Sequence, residues 1–308
     1  MSNEAFFYDK PVLVTGGAGF IGSHLVEALI ARGARVTILD DLSTGNLQNI
    51  EPLKNKITFI RGSITDYQTC LQATQKQSLI FHCAALVSVP QSIGNPLLCS
   101  AINVTGTFWL LEAARLNKVE RFIFSSSSAV YGQYAEPCQE SMACNPLSPY
   151  GYSKLLGEIY CEQYARIHGL KTLCLRYFNV YGPRQKADGP YASFYAKILR
   201  NLAENQPIII YGDGSQIRDF IAVSSIIEAN LTLAQLPGHL LNGQPINVAQ
   251  GKSVSLIDLV TRLKKDFPAY RHPLSFQPAR LGDIPSSQAD CTQLHNFFAR
   301  MNQSVTEI

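Results

Sequence analysis

The chain has 308 residues, 46% hydrophobic and 16% charged, enough to bury a large core and close to the length at which one compact unit acquires a second lobe. Lys and Arg number 26 against 23 Asp and Glu, and the net charge of +3 is too small to indicate a polyanion or a membrane surface as partner. The opening MSNEAFFYDK holds acidic residues and no apolar run of signal-peptide length, and no later apolar stretch is expected to approach the roughly 20 residues that cross a bilayer. A cytoplasmic protein without a nucleic-acid partner is the expectation. The cysteines at 70, 83, 99, 138, 144, 161, 174 and 291 form no CxxC pair and no close ligand spacing, so no metal site is expected and the thiols are read as reduced, several of them in the core.

In chain order, the first half alternates short apolar runs with helical patterns. Strands are expected at Pro11–Thr15, Arg35–Leu39, Ile57–Arg61, Leu79–Cys83, Arg121–Ser125 and Thr172–Tyr177. Continuously apolar strands of this kind suit a parallel sheet covered on both faces. Between them, His24–Arg32, Asp66–Gln75, Val104–Asn117 and Tyr152–His168 carry helical periodicity. Right-handed crossovers then give an α/β fold with a doubly wound parallel sheet over residues 1–178. After Asn179 the chain turns to Gly, Pro, Tyr and polar clusters, as in YGPRQKADGPY and YGDGSQIRDF, which predicts a smaller α+β lobe over 179–308. Parts of 222–250 are expected to return to the first domain, Ser224–Leu236 as helix and Pro245–Ala249 as strand. The two lobes should enclose a cleft.

Directly after the first strand comes TGGAGFIGSHL, in which Gly16, Gly19 and Gly22 form a GxxGxxG run leading into an apolar helix. Glycines permit the tight turn and let backbone N–H groups approach a pyrophosphate, whose charge the helix N-terminus favours. Asp40 ends the second strand about 20 residues on, the spacing at which a carboxylate meets the adenosine ribose of a Rossmann-type site. A carboxylate there accepts both ribose hydroxyls and repels a 2′-phosphate, which predicts NAD over NADP. Asp41 is the alternative reader.

The sequence SPYGYSK sets Tyr150 and Lys154 four residues apart, on one face of a helix. A phenol with an ordinary pKa of about 10 is a poor base, but a neighbouring ammonium and a positive nicotinamide ring both favour the phenolate. Upstream, FIFSSSSAVYG ends an apolar strand in four serines, Ser125 to Ser128, at the sheet edge where such folds bind ligands.

With these motifs in hand, the chain closely resembles the extended short-chain dehydrogenase/reductase superfamily and, within it, the UDP-hexose 4-epimerases, most of all those acting on UDP-N-acetylglucosamine. The likeness runs through TGGAGFIG, Asp40 with LSTG at 42–45, FHCAA at 81–85, Asn103, SSSSAVYG, YGYSK, RYFNVYGPR at 176–184, YGDGSQIRDF and RLGDIPSSQAD at 280–290. It implies Tyr150 as base, Lys154 on the nicotinamide ribose lowering the tyrosine pKa, and Ser127 aligned with the substrate hydroxyl, with Ser126 and Ser128 as neighbouring candidates. For the cofactor it implies Gly16, Gly19, Phe20, Ile21, Gly22, Asp40, Asp41, Ser43, Gly45, Ile64, Ala84, Ala85, Val87, Asn103, Ser125 and Tyr177. Relatives usually carry Asp after Gly62, against adenine. Here Ser63 stands there, an uncharged substitute.

For the substrate the resemblance implies Arg218 and Arg280 as clamps on a diphosphate, a role that suits the guanidinium fork. Asn179, Tyr211 and Asp283 fall where relatives meet diphosphate, uracil or ribose, Tyr191 and Phe194 are candidate uridine packers, and Ser88 and Ser128 are further substrate-binding candidates. Sister enzymes that dehydrate or decarboxylate nucleotide sugars carry acidic residues just before the VYG element. Here Ser128 and Ala129 occupy those places, and Ala129 cannot move a proton. The expected reaction is therefore reversible C4 epimerisation of a UDP-hexose through a 4-keto sugar and transient NADH. Relatives restricted to simple hexoses carry tyrosine at the place of Ser287; this serine, with Gln185 and Ala192, points to UDP-GlcNAc/UDP-GalNAc over UDP-glucose/UDP-galactose. A non-catalytic NAD-binding sensor is the alternative class. Relatives also imply a homodimer through a four-helix bundle built from 97–117 and Tyr152–His168.

Overall fold

The computed structural model describes residues 3–188, 193–279 and 284–306. In chain order its strands are β1 (Pro11–Thr15), β2 (Arg35–Asp40), β3 (Ile57–Arg61), β4 (Leu79–His82), β5 (Arg121–Ser127), β6 (Lys171–Tyr177), β7 (Asn179–Tyr181), β8 (Ile208–Tyr211), β9 (Ile217–Ala222), β10 (Asn242–Val248), β11 (Ser253–Ser255), β12 (Leu274–Gln277) and β13 (Ser286–Ser287). The principal helices are α1 (Phe20–Ala31), α2 (Tyr67–Thr74), α3 (Thr107–Leu116), α4 (Pro149–His168), α5 (Phe194–Ala203), α6 (Val223–Leu233), α7 (Leu256–Lys264) and α8 (Thr292–Thr306).

Seven strands form one parallel sheet in the order β10-β6-β5-β4-β1-β2-β3. Because strand side chains alternate, β1 feeds both faces: Val12 and Val14 pack with Leu25, Leu29 and Ile226, while Leu13 packs with Leu110, Leu111 and Cys161. This is the doubly wound Rossmann architecture, with the strand order reversing between β1 and β4. The crevice outside the carboxyl ends of those two strands is where such sheets bind ligands. The smaller lobe combines β11-β9-β13, with β7 also on β9, and the pair β12-β8. Its own core gathers Ile198, Leu202, Ile208, Ile210 and Val260.

Several boundaries differ from the sequence expectation for identifiable reasons. β5 runs two residues beyond Ser125 because Ser126 and Ser127 pair in register with Arg176 and Tyr177 of β6. Helix α1 starts at Phe20, directly on the glycine turn. Strand β10 starts at Asn242 and contains Pro245, which an edge strand tolerates, with a register shift between those two residues.

The expectation that no apolar stretch reaches membrane-spanning length is also corrected. The helical run Pro96–Leu116 has 21 residues and holds an 18-residue window of mean hydropathy 1.3, enough by length and composition. In this fold its Cys99, Asn103, Leu110, Leu111, Ala113 and Ala114 are buried inside the protein. All eight cysteines are free, and six of them are buried.

Candidate active site

The glycine turn is dictated by packing. Gly16 has φ +69, where L side chains are strained, and an added Cβ would lie 2.8 Å from the Ala84 nitrogen. A Cβ on Gly22 would lie 2.1 Å from the Gly16 carbonyl oxygen. The turn after β1 therefore nests against the loop after β4 and against the first turn of α1. Gly19 caps α1 with no side-chain hydrogen bond to its amides, so the helix N-terminus is left for an external anion. Phe20 and Ile21 are half-buried and fix that turn against the core.

Asp40 is buried beside it. Its Oδ2 accepts from the Ala18 amide at 2.9 Å and its Oδ1 from the Leu42 amide at 2.8 Å, leaving a second acceptor site on each oxygen. Burial raises its pKa, and the two amide hydrogen bonds oppose that. Gly45 passes directly over the carboxylate, since an added Cβ would sit 2.7 Å from Oδ1. Asp41 is exposed and accepts from the Ser43 amide.

Ser63 is engaged locally, with its hydroxyl 2.9 Å from that of Thr65. The Ile64 side chain lies in the core, in contact range of Gly106, so this position offers the cleft its backbone rather than its side chain.

Asn103 is 2% exposed and holds the loop after β4 from behind. Its Oδ1 accepts from the Leu86 amide at 2.8 Å, and its Nδ2 donates to the Leu86 carbonyl and the Ser153 hydroxyl, both at 2.9 Å. With both amide hydrogens used, it clamps Ala84–Val87 to α4 rather than reaching a ligand. The residue sits in a π-helical stretch, Ser100–Gly106, a widening that recurs at functional sites. Beneath the same loop, His82 is fully buried between Thr15 and Thr107, with burial pushing its pKa down to about 3, so the ring is neutral. The Thr15 hydroxyl also accepts from the Ala84 amide, and the neutral ring shares one hydrogen bond with Thr15 through Nδ1 at 2.7 Å and one with Thr107 through Nε2 at 2.9 Å.

Helix α4 starts where the sequence predicts chemistry. Ser148 caps it by accepting from the Gly151 amide, and Pro149 occupies the first turn. The helix lies tightly on the sheet: a Cβ on Gly157 would meet the Phe124 ring at 2.4 Å. That approach buries Lys154, whose Nζ donates to the Ser125 carbonyl at 2.8 Å and sits 5.0 Å from the Phe124 ring centroid. Burial brings the Lys154 pKa down to about 8.

Tyr150 hydrogen bonds with Ser127. Burial raises its phenol pKa and the Ser127 hydrogen bond is the main influence lowering it. The Lys154 ammonium stands 5.9 Å from the Tyr150 ring centroid and is aimed at the Ser125 carbonyl, so the protein by itself does not set the phenol up as a base through the lysine. Ser125 Oγ donates to Tyr177 Oη at 3.3 Å, and Tyr177 Oη donates to Asn230 at 2.9 Å.

A cleft of 480 Å³ opens between this edge and the smaller lobe. Of the predicted residues, Val87, Ser127, Ser128, Tyr150, Tyr177, Asn179, Phe194, Tyr211, Arg218 and Ser287 line it. Of the described residues expected on the substrate, two do not. The Ser88 hydroxyl is taken up capping Val89–Gly94, and Gln185 Nε2 turns back to the Val180 carbonyl at 2.9 Å. Tyr191, Ala192, Arg280 and Asp283 lie outside the described residues.

Arg218 is placed by its neighbour Asp219, whose buried carboxylate accepts from the Gln250 and Gly251 amides, each at 2.9 Å. Ser287 pairs in register with Arg218 across β13 and β9. The sequence reading missed Tyr195 and Phe220, which also line the cleft, with Tyr195 stacked 4.4 Å from Tyr181. Their only signal was an aromatic at the lobe boundary, which core packing explains as readily.

Such an edge, with a glycine cradle for a pyrophosphate and a phenol, an ammonium and a serine beside an open cleft, equips a dinucleotide-dependent enzyme that works at a hydroxyl-bearing carbon. The chain belongs to the NAD-dependent epimerase/dehydratase family, whose model matches residues 12–249, and its cofactor is NAD. It is 39% identical over 286 residues to a UDP-glucose 4-epimerase of Mycolicibacterium smegmatis, covering 91% of this chain and 90% of that one. Among solved structures it is similar to the UDP-N-acetylglucosamine 4-epimerase of Methanobrevibacter ruminantium M1 in complex with UDP-N-acetylmuramic acid, with TM-score 0.88, 38% identity and coverage of 94% and 92%. It is also similar to the UDP-glucose 4-epimerase of Thermus thermophilus in complex with NAD, with TM-score 0.84, 33% identity and coverage of 93% and 92%.

Proposed function

We propose that the chain interconverts UDP-hexoses epimeric at C4, with UDP-GlcNAc and UDP-GalNAc as its preferred pair. The observation that carries the reaction type is the convergence of Tyr150, Ser127 and Lys154 on a cleft with no carboxylate among its described lining residues. Dehydration or decarboxylation needs a further proton-transfer group, and Ala129 stands where it would be. Bound NAD supplies the hydride acceptor and a positive ring that favours the phenolate.

The chain's residues do the remainder. Tyr150 takes the proton from O4 as C4 becomes a ketone, and Ser127 hydrogen bonds to that oxygen and holds it beside the phenol. Lys154, largely protonated at neutral pH, holds the nicotinamide ribose. Arg218, with Arg280, grips the diphosphate while the keto sugar turns about its linkage. Tyr150 then returns the proton to O4 on the inverted carbon. Firm nucleotide binding and a loosely held sugar are both required for inversion.

The preference for acetylated sugars rests on Ser287, a small side chain at the cleft wall beside Arg218. The similarity to proteins named as UDP-glucose 4-epimerases supports the simple pair as the second reading. Incubating the purified protein with each of the four UDP-hexoses, without added cofactor, tests all readings. UDP-GlcNAc and UDP-GalNAc should interconvert fastest, and denaturation should release NAD. Turnover of the simple pair alone would reverse the preference, and bound NAD with no turnover would leave a sensor.

We also infer a homodimer. Tyr152, Leu156 and Ile159 follow one face of α4 and are 53%, 39% and 49% exposed, beside the helical run that carries Leu97 (83%) and Phe108 (39%). A second copy covering this face would form a four-helix bundle. Light scattering should give twice the chain mass for the wild type and the chain mass for Tyr152→Glu/Ile159→Glu. A monomeric wild type at micromolar concentration would refute the pairing.

A further inference from the structure

Below the predicted catalytic pair lies a buried ion pair that the proposed chemistry does not use. Arg176 of β6 and Glu158 of α4 are 4% and 7% exposed in their side chains. Arg176 Nε donates to Glu158 Oε1 at 2.9 Å and Nη2 to Oε2 at 2.7 Å, a bidentate fork. The same Oε1 accepts from the Ser126 hydroxyl at 2.5 Å. The guanidinium lies 4.6 Å from the Tyr131 ring centroid, and Nη2 also donates to Cys144 Sγ at 3.3 Å. Tyr131 Oη in turn donates to Asn247, whose Nδ2 donates to the Cys138 and Asp290 carbonyls.

Burying two charges costs several kcal/mol of desolvation, about as much as the pairing returns, and apolar residues of similar volume often stabilise as well or better. Stability alone therefore accounts poorly for an ion pair here. Its place accounts for it better. Tyr150, Lys154 and Glu158 follow each other at i, i+4 and i+8 on α4 and engage three successive serines at the end of β5: Tyr150 the Ser127 hydroxyl, Lys154 the Ser125 carbonyl and Glu158 the Ser126 hydroxyl. Two of these contacts hold the groups that do chemistry. The third is the only one backed by a rigid planar fork from the neighbouring strand.

We propose that Ser126, Glu158 and Arg176 are positioning residues, a three-part anchor that sets the register of the Tyr150/Lys154 helix against the serine ledge and so governs the proton-transfer step without touching substrate. The inference rests on the epimerase reading given above. Reacting groups displaced by about 1 Å lose on the order of 10²-fold in rate, so a lost anchor should be visible in the chemical step. It should leave UDP affinity unchanged and NAD still bound, because the Arg218 and glycine-loop sites are built on other elements and only the Lys154 contact to the nicotinamide ribose shares α4.

Ser126→Ala is the cleanest test, since it removes one hydroxyl and leaves the Arg–Glu fork intact. Its kcat should fall on the order of ten- to a hundred-fold, with KM, bound NAD and thermal midpoint close to wild type. Glu158→Gln should fall similarly, and the double variant should be no slower than the slower single one, because the residues act as one unit. If Glu158→Gln does not fold, Ser126→Ala decides alone. A wild-type kcat in Ser126→Ala, additive losses in the double variant, or a loss confined to KM or to thermal stability would each overturn the assignment.

An ultraviolet difference titration against Tyr150→Phe, made with and without Ser126→Ala, reads the anchor independently of turnover. The Tyr150 phenol should titrate higher without Ser126, because the Ser127 hydrogen bond that favours the phenolate is loosened. If the wild type turns over no UDP-hexose, the epimerase reading fails while this titration still decides the anchor, and an unmoved phenol rejects it.

Discussion

Tyr150→Phe should keep the fold, bound NAD and UDP affinity and lose about 10²- to 10⁴-fold in kcat, the usual contribution of one general acid–base group. That range corresponds to roughly 2.7 to 5.5 kcal/mol of barrier. The substitution removes a single oxygen. The ring keeps its place against Lys154, and the backbone amide of residue 150 keeps its hydrogen bond to the Ser92 hydroxyl at 3.1 Å. Net loss of the Ser127 hydrogen bond should cost only about 1 kcal/mol of stability, which a thermal melt would register as a small shift. The isolated protein holds the phenol above its ordinary pKa, by burial, so its use as a base depends on the positive charge that arrives with NAD. The decisive measurement is steady-state epimerisation with the NAD content of each preparation quantified. A variant within about threefold of wild type, far short of the general acid–base range, would mean that another group moves the proton.

Ser287→Tyr should abolish most conversion of the acetylated pair and spare the simple pair. Ser287 is 6% exposed at the cleft wall and held by backbone pairing to Arg218, so a phenol ring there has no route outward and must occupy sugar space. An N-acetyl group at C2 competes for that volume, whereas a hydroxyl does not. Exclusion by a clash of this kind is specificity through repulsion, worth on the order of 10- to 100-fold in kcat/KM. Competition assays with UDP-GlcNAc and UDP-glucose on the same preparation give the ratio directly. Equal losses on both would show that Ser287 is a structural residue of β13 and that the preference has another source.

Much of this protein was legible in the sequence because the physics involved is local. The continuous apolar runs of β1, β2, β4, β5 and β6 could only be strands covered on both faces, and the glycines after β1 mark a turn whose backbone conformation admits no other residue at Gly16. The i, i+4 spacing of Tyr150 and Lys154 places both on one helix face from the sequence alone.

What the sequence could not decide depends on which distant segments meet. Ser88 reads as a substrate-binding hydroxyl until the short helix after it claims its oxygen, and Gln185 as a cleft residue until its amide folds back on Val180. Asn103 looks like a ligand contact, yet both of its amide hydrogens are used 17 and 50 residues away, on Leu86 and Ser153. Glu158 carried no signal, and Arg176 none beyond opening the RYFNVYGPR motif, since a charge in the middle of a helix or strand usually faces water. Only the packing of α4 onto β5 and β6, tight enough to exclude a Cβ at Gly157, buries both charges together and turns them into the anchor beneath the active edge.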